Sequence, residues 1–168
     1  MIRATESDAD VDRWLAIRNE VFPTIEMSRA ALDVQDRRGP AGRLKLLAGD
    51  AGFAIVAPPH AEDRHPWLTV GVRERARGQG IGAALWSAGA EHLAGLGITT
   101  TRSLSIDGVE AGARFLERRG FRLVARETML ERDLRTLPPA PPAPAGIELI
   151  DVALDSPRFR EVYQLEVE

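Results

Sequence analysis

Residues Arg77-Gly78-Gln79-Gly80-Ile81-Gly82 form the pattern in this chain whose spacing points most directly to chemistry. Glycine at three alternate positions removes Cβ atoms where the backbone must turn and lets an anion approach it. Successive N–H groups of such a turn converge on one concavity, and a helix starting there adds the positive end of its dipole. The flanks suit that arrangement. Trp67-Leu68-Thr69-Val70-Gly71-Val72 reads as an apolar strand, and Ala83-Ala84-Leu85-Trp86 leads from the loop into a helix. The expected occupant is a pyrophosphate.

Gly78-x-Gly80-x-x-Ala83 also satisfies the dinucleotide fingerprint G-x-G-x-x-G/A, a pattern that is weak on its own. A dinucleotide turn places its first glycine directly after the strand, with several further βα units to follow. Here Arg73-Glu74-Arg75-Ala76-Arg77 intervenes, and a proline-rich stretch already begins at Pro138. No Gly-Lys-Ser/Thr is present, which excludes a Walker-type loop.

The loop resembles the acetyl-CoA loop of the GNAT acetyltransferase superfamily, which reads Q/R-x-x-G-x-G/A after a strand ending V-x-V. Arg77 to Gly82 fits each fixed position, and Val70-Gly71-Val72 supplies the strand end. Downstream, Ala113-Arg114-Phe115-Leu116-Glu117-Arg118-Arg119-Gly120-Phe121 resembles the family's FYEKxGF helix end. The resemblance covers residues 1–134. It implies a mixed α/β fold with a splayed central sheet, acetyl-CoA as acyl donor, and direct attack on the thioester by a primary amine of a small molecule or peptide in a ternary complex. It also implies that the donor lies on Val70, Val72, Arg77, Gly78, Gln79, Gly80, Ile81, Gly82 and Ala83. The two valines would pair with the pantetheine through their backbone, the loop would hold the pyrophosphate, and an N–H near Val72 would meet the thioester oxygen as charge develops.

Two family features are missing. Leu116 stands where a tyrosine commonly protonates the departing thiolate, and the strand before the loop carries no glutamate base. Candidates for a base are Glu26, His60, Glu62 and His65, on loops expected to rim the cleft. Ser103, Ser105 and Asp107 are placed to orient a water or the thiol. The alternative is a degenerate acyltransferase domain that binds CoA, or packs on a partner, without catalysing transfer. Trp14, Phe53 and Trp86 read as packing aromatics, His92 as a surface residue, and Arg118-Arg119 as a solvated helix end beside a C-terminal dipole.

The elements that must position the loop follow from periodicity. A short strand at residues 2–5 precedes an amphipathic helix over 8–22, capped at Ser7 or Asp8 and stopped by Pro23. Ser28 caps a second helix through Arg38. Residues 44–48 and 53–57 form a hairpin, and 67–72 the strand into the loop. A helix closed by Gly95 and Gly97, a strand over 98–106, a helix over 109–119 and strands at 121–124 and 129–132 complete a mixed sheet.

The chain has 168 residues, 44% of them hydrophobic and 28% charged, as expected of a globular protein. There is no cysteine, so disulfides, thiolate metal sites and cysteine nucleophiles are excluded; a cytoplasmic location is expected. The net charge of −3 and dispersed basic residues argue against nucleic acid as a partner, no apolar run is long enough to span a membrane, and no metal is expected. Lys45 is the single lysine, the other basic residues being arginine, which we read as codon bias. Five prolines between 138 and 144 mark a linker over 135–145. Beyond it, a strand at 147–150 and helical spacing of Phe159, Val162 and Tyr163 mirror residues 2–22. Three parts are therefore expected: an acetyltransferase domain over 1–134, the linker, and the start of a second, incomplete domain over 146–168. The second domain would belong to the same chain, with a homodimer as the other possible partner.

Overall fold

The computed structural model describes residues 1–59, 65–106, 109–136, 141–142 and 144–146. The chain divides into two compact units, Met1–Leu123 and Val124–Glu168. In the first unit the elements are β1 (Arg3–Ala4), α1 (Asp8–Val21), α2 (Arg29–Arg38), β2 (Leu44–Ala48), β3 (Gly52–Ala57), β4 (Trp67–Val72), α3 (Ile81–Gly95) and α4 (Glu110–Glu117). The four strands form one sheet in the order β1-β2-β3-β4, and every neighbouring pair is antiparallel.

The helix starts follow their capping residues. Ser7 Oγ accepts from the Asp10 N–H at 3.2 Å, and Ser28 Oγ from the Ala31 N–H at 3.1 Å. Each side chain satisfies a first-turn donor that has no partner within its helix.

Alternation along β2 and β3 divides the core between the two faces of the sheet. Leu47 and Phe53, cross-strand partners, pack with Trp14, Ile17, Phe22 and Leu32 under α1 and α2. Leu46, Ala54 and Val56 point the other way, onto Leu68 and the α3 residues Leu85 and Leu93. A one-residue slip would exchange these sets, so the register is pinned from both sides. The indole of Trp14 reaches across the sheet, and its Nε1 donates to the buried carbonyl of Ala54 at 2.9 Å.

Gly71 shows how tightly β4 is packed. A Cβ at this position would lie 2.2 Å from Phe53 Cε1. Phe53 has nowhere to go: it is 1% exposed and sits edge-on to Trp14 and Phe22, at centroid distances of 5.1 and 5.9 Å. Gly71→Ala is therefore expected to cost about 1–3 kcal/mol through overpacking. Thermal melts should show a midpoint several degrees below the parent; an unchanged midpoint would mean that Phe53 repacks freely.

Three sequence-based expectations differ from the structure. Residues 98–106 do not form a strand; their pairing with β4 reduces to one parallel bridge, Trp67 to Arg102. Phe121–Leu123 in the first unit carries no strand, and neither does the stretch from Val124 to Asp133 in the second. Alternating apolar residues make a strand only where a neighbouring backbone completes the ladder. Among the described residues 98–106 has only that bridge and the later two segments have none, and Leu123, Val124, Met129 and Leu130 are exposed. The second unit shows a short 3₁₀ turn at Leu134–Thr136, beside an Arg135–Asp133 ion pair of 2.9 Å. The expected strand at 147–150, the helix after it and much of the proline stretch lie outside the described residues, as do His60, Glu62 and Asp107.

Candidate functional site

The site is built where β4 parts from the segment after α3. Leu68 N–H donates to the Arg102 carbonyl at 2.9 Å, and Arg102 N–H to the Pro66 carbonyl at 2.8 Å. Beyond this point the two stretches carry no further bridge. On the other side of β4, Arg73 N–H donates to the carbonyl of Ala51, just before β3, at 2.9 Å. Because backbone donors alternate along a strand, the N–H groups of Val70 and Val72 share the direction of Leu68 and face the opening. A cavity of about 370 Å³ fills that opening, with Val70, Gly71 and Val72 on one wall and Leu104, Ser105 and Ile106 on the other.

The loop closes one end of this cavity. A short 3₁₀ turn, Glu74–Ala76, carries the chain out of β4, and Arg73 Nε pairs with Glu20 Oε2 of α1 at 3.0 Å. Gly78 and Gly80 both adopt φ +78°, a left-handed conformation that favours glycine. A Cβ built on either would meet no protein atom within 4 Å, so the space over the loop is free of protein. Gly80 occupies the N-cap position of α3, and neither it nor any acidic first-turn residue caps the helix. Where serine serves α1 and α2, the first amides of α3 are left for an external acceptor. The residues present thus fit an elongated donor with a pyrophosphate at the loop and a peptide-like arm along β4.

Of the sequence-predicted binding residues, Val70, Val72, Arg77, Gly78, Gly80, Ile81, Gly82 and Ala83 line the cavity. Gln79 is exposed and does not. Arg77 Nε donates back to the Val72 carbonyl at 3.2 Å, tying the loop to the strand end. Of the catalytic candidates among the described residues, Ser105 alone lines the cavity. Glu26 and His65 are exposed and absent from its lining. The turn carrying Glu26 is held by Arg18 Nη1 on the Ile25 carbonyl (2.5 Å) and by the Asn19 amide, which pairs with both N–H and C=O of Met27. Burial lowers the pKa of Arg18 from its ordinary value. Ser103 is half-buried away from the cavity, and Leu116 is half-buried with its neighbour Phe115 taking the lining position.

Two readings gain contacts. Arg118, the C-cap of α4, is exposed as expected of a solvated helix end, Arg119 is half-buried, and both line the cavity. The Arg119 guanidinium stacks 3.6 Å from the centre of the Phe115 ring, and its Nη1 donates to the Phe115 carbonyl at 3.0 Å. The spacing of four between an aromatic and an arginine was the available signal. His92, read as a surface residue, places Nε2 2.7 Å from the Gly42 carbonyl and links α3 to the loop before β2. A second cavity of about 470 Å³, bordered by Trp86, Leu93, Ile98 and Thr101, has no charged residue among its described lining and shares none with the loop. Among the described residues no three His, Asp or Glu group together as a metal site, and no helix is long and apolar enough to cross a membrane.

Comparison with known proteins agrees with this geometry. The model of the acetyltransferase (GNAT) family matches residues 11–121, well over half of the chain. A mycothiol acetyltransferase of Streptomyces scabiei is 33% identical over 129 residues, covering 71% of this chain and 42% of that protein. One from a Parafrankia species is 33% identical over 161 residues, covering 80% and 50%. The chain thus spans about half the length of the curated relatives it matches. Among solved structures, AAC(6')-Iy in complex with the bisubstrate analogue CoA-S-monomethyl-acetylneamine aligns with a TM-score of 0.58 at 16% identity, over 79% of this chain and 97% of that one. A ribosomal-protein-alanine N-acetyltransferase from Brucella melitensis aligns with a TM-score of 0.57 at 24% identity, over 73% and 84%. At these identities the structural matches establish the fold.

Proposed function

This chain belongs to the acetyltransferase (GNAT) family, and on that premise we propose that it transfers an acetyl group from acetyl-CoA to a primary amine of a small molecule or peptide. The observation that carries the reading is the opening between β4 and residues 104–106, with the uncapped start of α3 at its end. The amides of residues 78–82 hold the donor's pyrophosphate. The gap-facing backbone of Val70 and Val72 pairs with the pantetheine and directs an N–H at the thioester oxygen, where negative charge develops as the amine attacks. The amine nitrogen bonds to the acetyl carbon, the carbon–sulfur bond breaks, the thiolate leaves, and the proton shed by the nitrogen passes to solvent. A thiolate whose acid has a pKa near about 8.5 is a tolerable leaving group without a proton donor, which suits a site with leucine at position 116.

The test is release of CoA thiol from acetyl-CoA over a panel of amines that includes aminoglycosides and the acceptors of mycothiol acetyltransferases. Transfer to any member supports the reading, whereas absence of both transfer and CoA binding overturns it. Acetyl-CoA is a cytoplasmic metabolite, which would place the protein in the cytoplasm.

We also propose that residues 135–145 link this domain, over 1–134, to the start of a second domain of the same kind over 146–168. Deleting residues 136–168 is then expected to leave melting temperature and CoA affinity unchanged. A loss of several degrees would instead identify the segment as part of the first core.

A further inference from the structure

We propose that Arg118 and Arg119 recognise the 3′-phosphate on the donor's adenosine and set a preference for CoA over its dephosphorylated form. This rests on the donor assignment above and adds to it the recognition of one particular group.

The charge of the cavity is one-sided. Among the described residues its lining holds three arginines, Arg77, Arg118 and Arg119, and no aspartate, glutamate or histidine. Arg118 and Arg119 have no carboxylate partner among the described residues. Arg77 is tied to the Val72 carbonyl at the strand end, on the loop that serves the pyrophosphate. The other two are cations without an assigned anion.

Their position identifies that anion. α4 lines the cavity with Ala111, Gly112 and Phe115. Near its start, a Cβ at Gly112 would stand 3.7 Å from Ser105 Cβ, beside the 104–106 wall. Near its end, Phe115 packs against the first turn of α3, its Cε2 3.3 Å from a Cβ built on Gly82. Arg119 stacks on that same ring, so its guanidinium is fixed one side chain away from the phosphate loop. The acceptor amine must enter where the thioester ends, at the far side of the opening. An anion met by Arg119 therefore belongs to the nucleotide end of the donor. With the pyrophosphate on the loop amides, the charge left on CoA is the 3′-phosphate, close to a dianion at pH 7. A stacked guanidinium keeps its N–H edge available for such a group, and a planar fork suits phosphate oxygens better than a mobile ammonium.

Calorimetry on the full chain with CoA and with 3′-dephospho-CoA tests the inference. The parent should favour CoA by about tenfold or more, the value of a charge-assisted contact. Arg118→Gln with Arg119→Gln should bring CoA down to the affinity of dephospho-CoA, leaving the latter within about threefold of the parent. Arg118→Gln alone, at an exposed position, should lose part of the preference with no change in melting temperature and so guards against a folding artefact. Equal binding of both ligands by the parent, or an equal loss of both in the variants, overturns the inference while leaving the donor assignment standing. If the parent binds neither ligand, the donor assignment fails and the inference fails with it.

Discussion

Gly80→Val is expected to abolish CoA binding in a protein that still folds. The fold tolerates the change because a Cβ at Gly80 meets no protein atom within 4 Å. Its local cost is that of placing an L-residue at φ +78°, of order 1–2 kcal/mol and more for a β-branched side chain. The cost to binding is larger. The new methyl groups occupy the protein-free space beside the first amides of α3, where the pyrophosphate would sit, and the strained backbone turns those amides away. Two or three hydrogen bonds to a charged group, each contributing about 1.5–3 kcal/mol, are lost together, so affinity should fall by at least about a hundredfold. Arg77→Ala should have a smaller effect, since it removes one charge and the tie to Val72 but leaves the amides in place. Calorimetry with CoA distinguishes these outcomes. A folded Gly80→Val protein that binds CoA like the parent would show that the loop does not hold the donor.

The rate of transfer is expected to rise about tenfold per pH unit up to the pKa of the acceptor amine, near 10 for a lysine-like amine. Between pH 7 and 9 the gain in kcat/KM is then about a hundredfold. Among the described residues no side chain lining the cavity is a carboxylate or an imidazole. The acceptor must therefore arrive as the free amine, whose fraction grows with pH below its pKa. Ser105, the hydroxyl in the lining, can orient a water but is a poor base, so Ser105→Ala should reduce kcat/KM by less than about tenfold. A pH profile that levels off between 6 and 8 would report a side-chain base and sink this mechanism. In that case His60, Glu62 and Asp107, which lie outside the described residues, are the ones to substitute next. CoA binding without transfer to any amine would favour the degenerate, non-catalytic reading.

What the chain encodes locally is readable from residue types and their spacing. The loop from Arg77 to Gly82 announces itself because alternate glycines, an apolar strand and a helix start all lie within a few residues of one another. The starts of α1 and α2 were equally legible, since Ser7 and Ser28 each bond an amide three residues on. The β2–β3 hairpin and β4 follow from alternation and a glycine-containing turn, also short-range signals. The site itself was not legible in this way. Its opening exists because pairing between β4 and residues 98–106 stops after Leu68 and Arg102, and no neighbour in sequence dictates where a long-range pairing ends. The same holds for the apolar residues around 121–132, whose alternation suggested strands that find no ladder among the described residues. Nor could residue type alone separate Ser105, which reaches the cavity, from Glu26 and His65, which do not. The bonds from Arg18 and Asn19 orient the turn of Glu26, and no pattern around Glu26 itself records them. Arg118 and Arg119 looked like ordinary charges at a helix end until the contact between Phe115 and Gly82 placed that end beside the phosphate loop. Backbone conformation is set by steric and hydrogen-bonding preferences within about one helical turn, whereas the convergence of distant side chains depends on packing and register across the whole sheet.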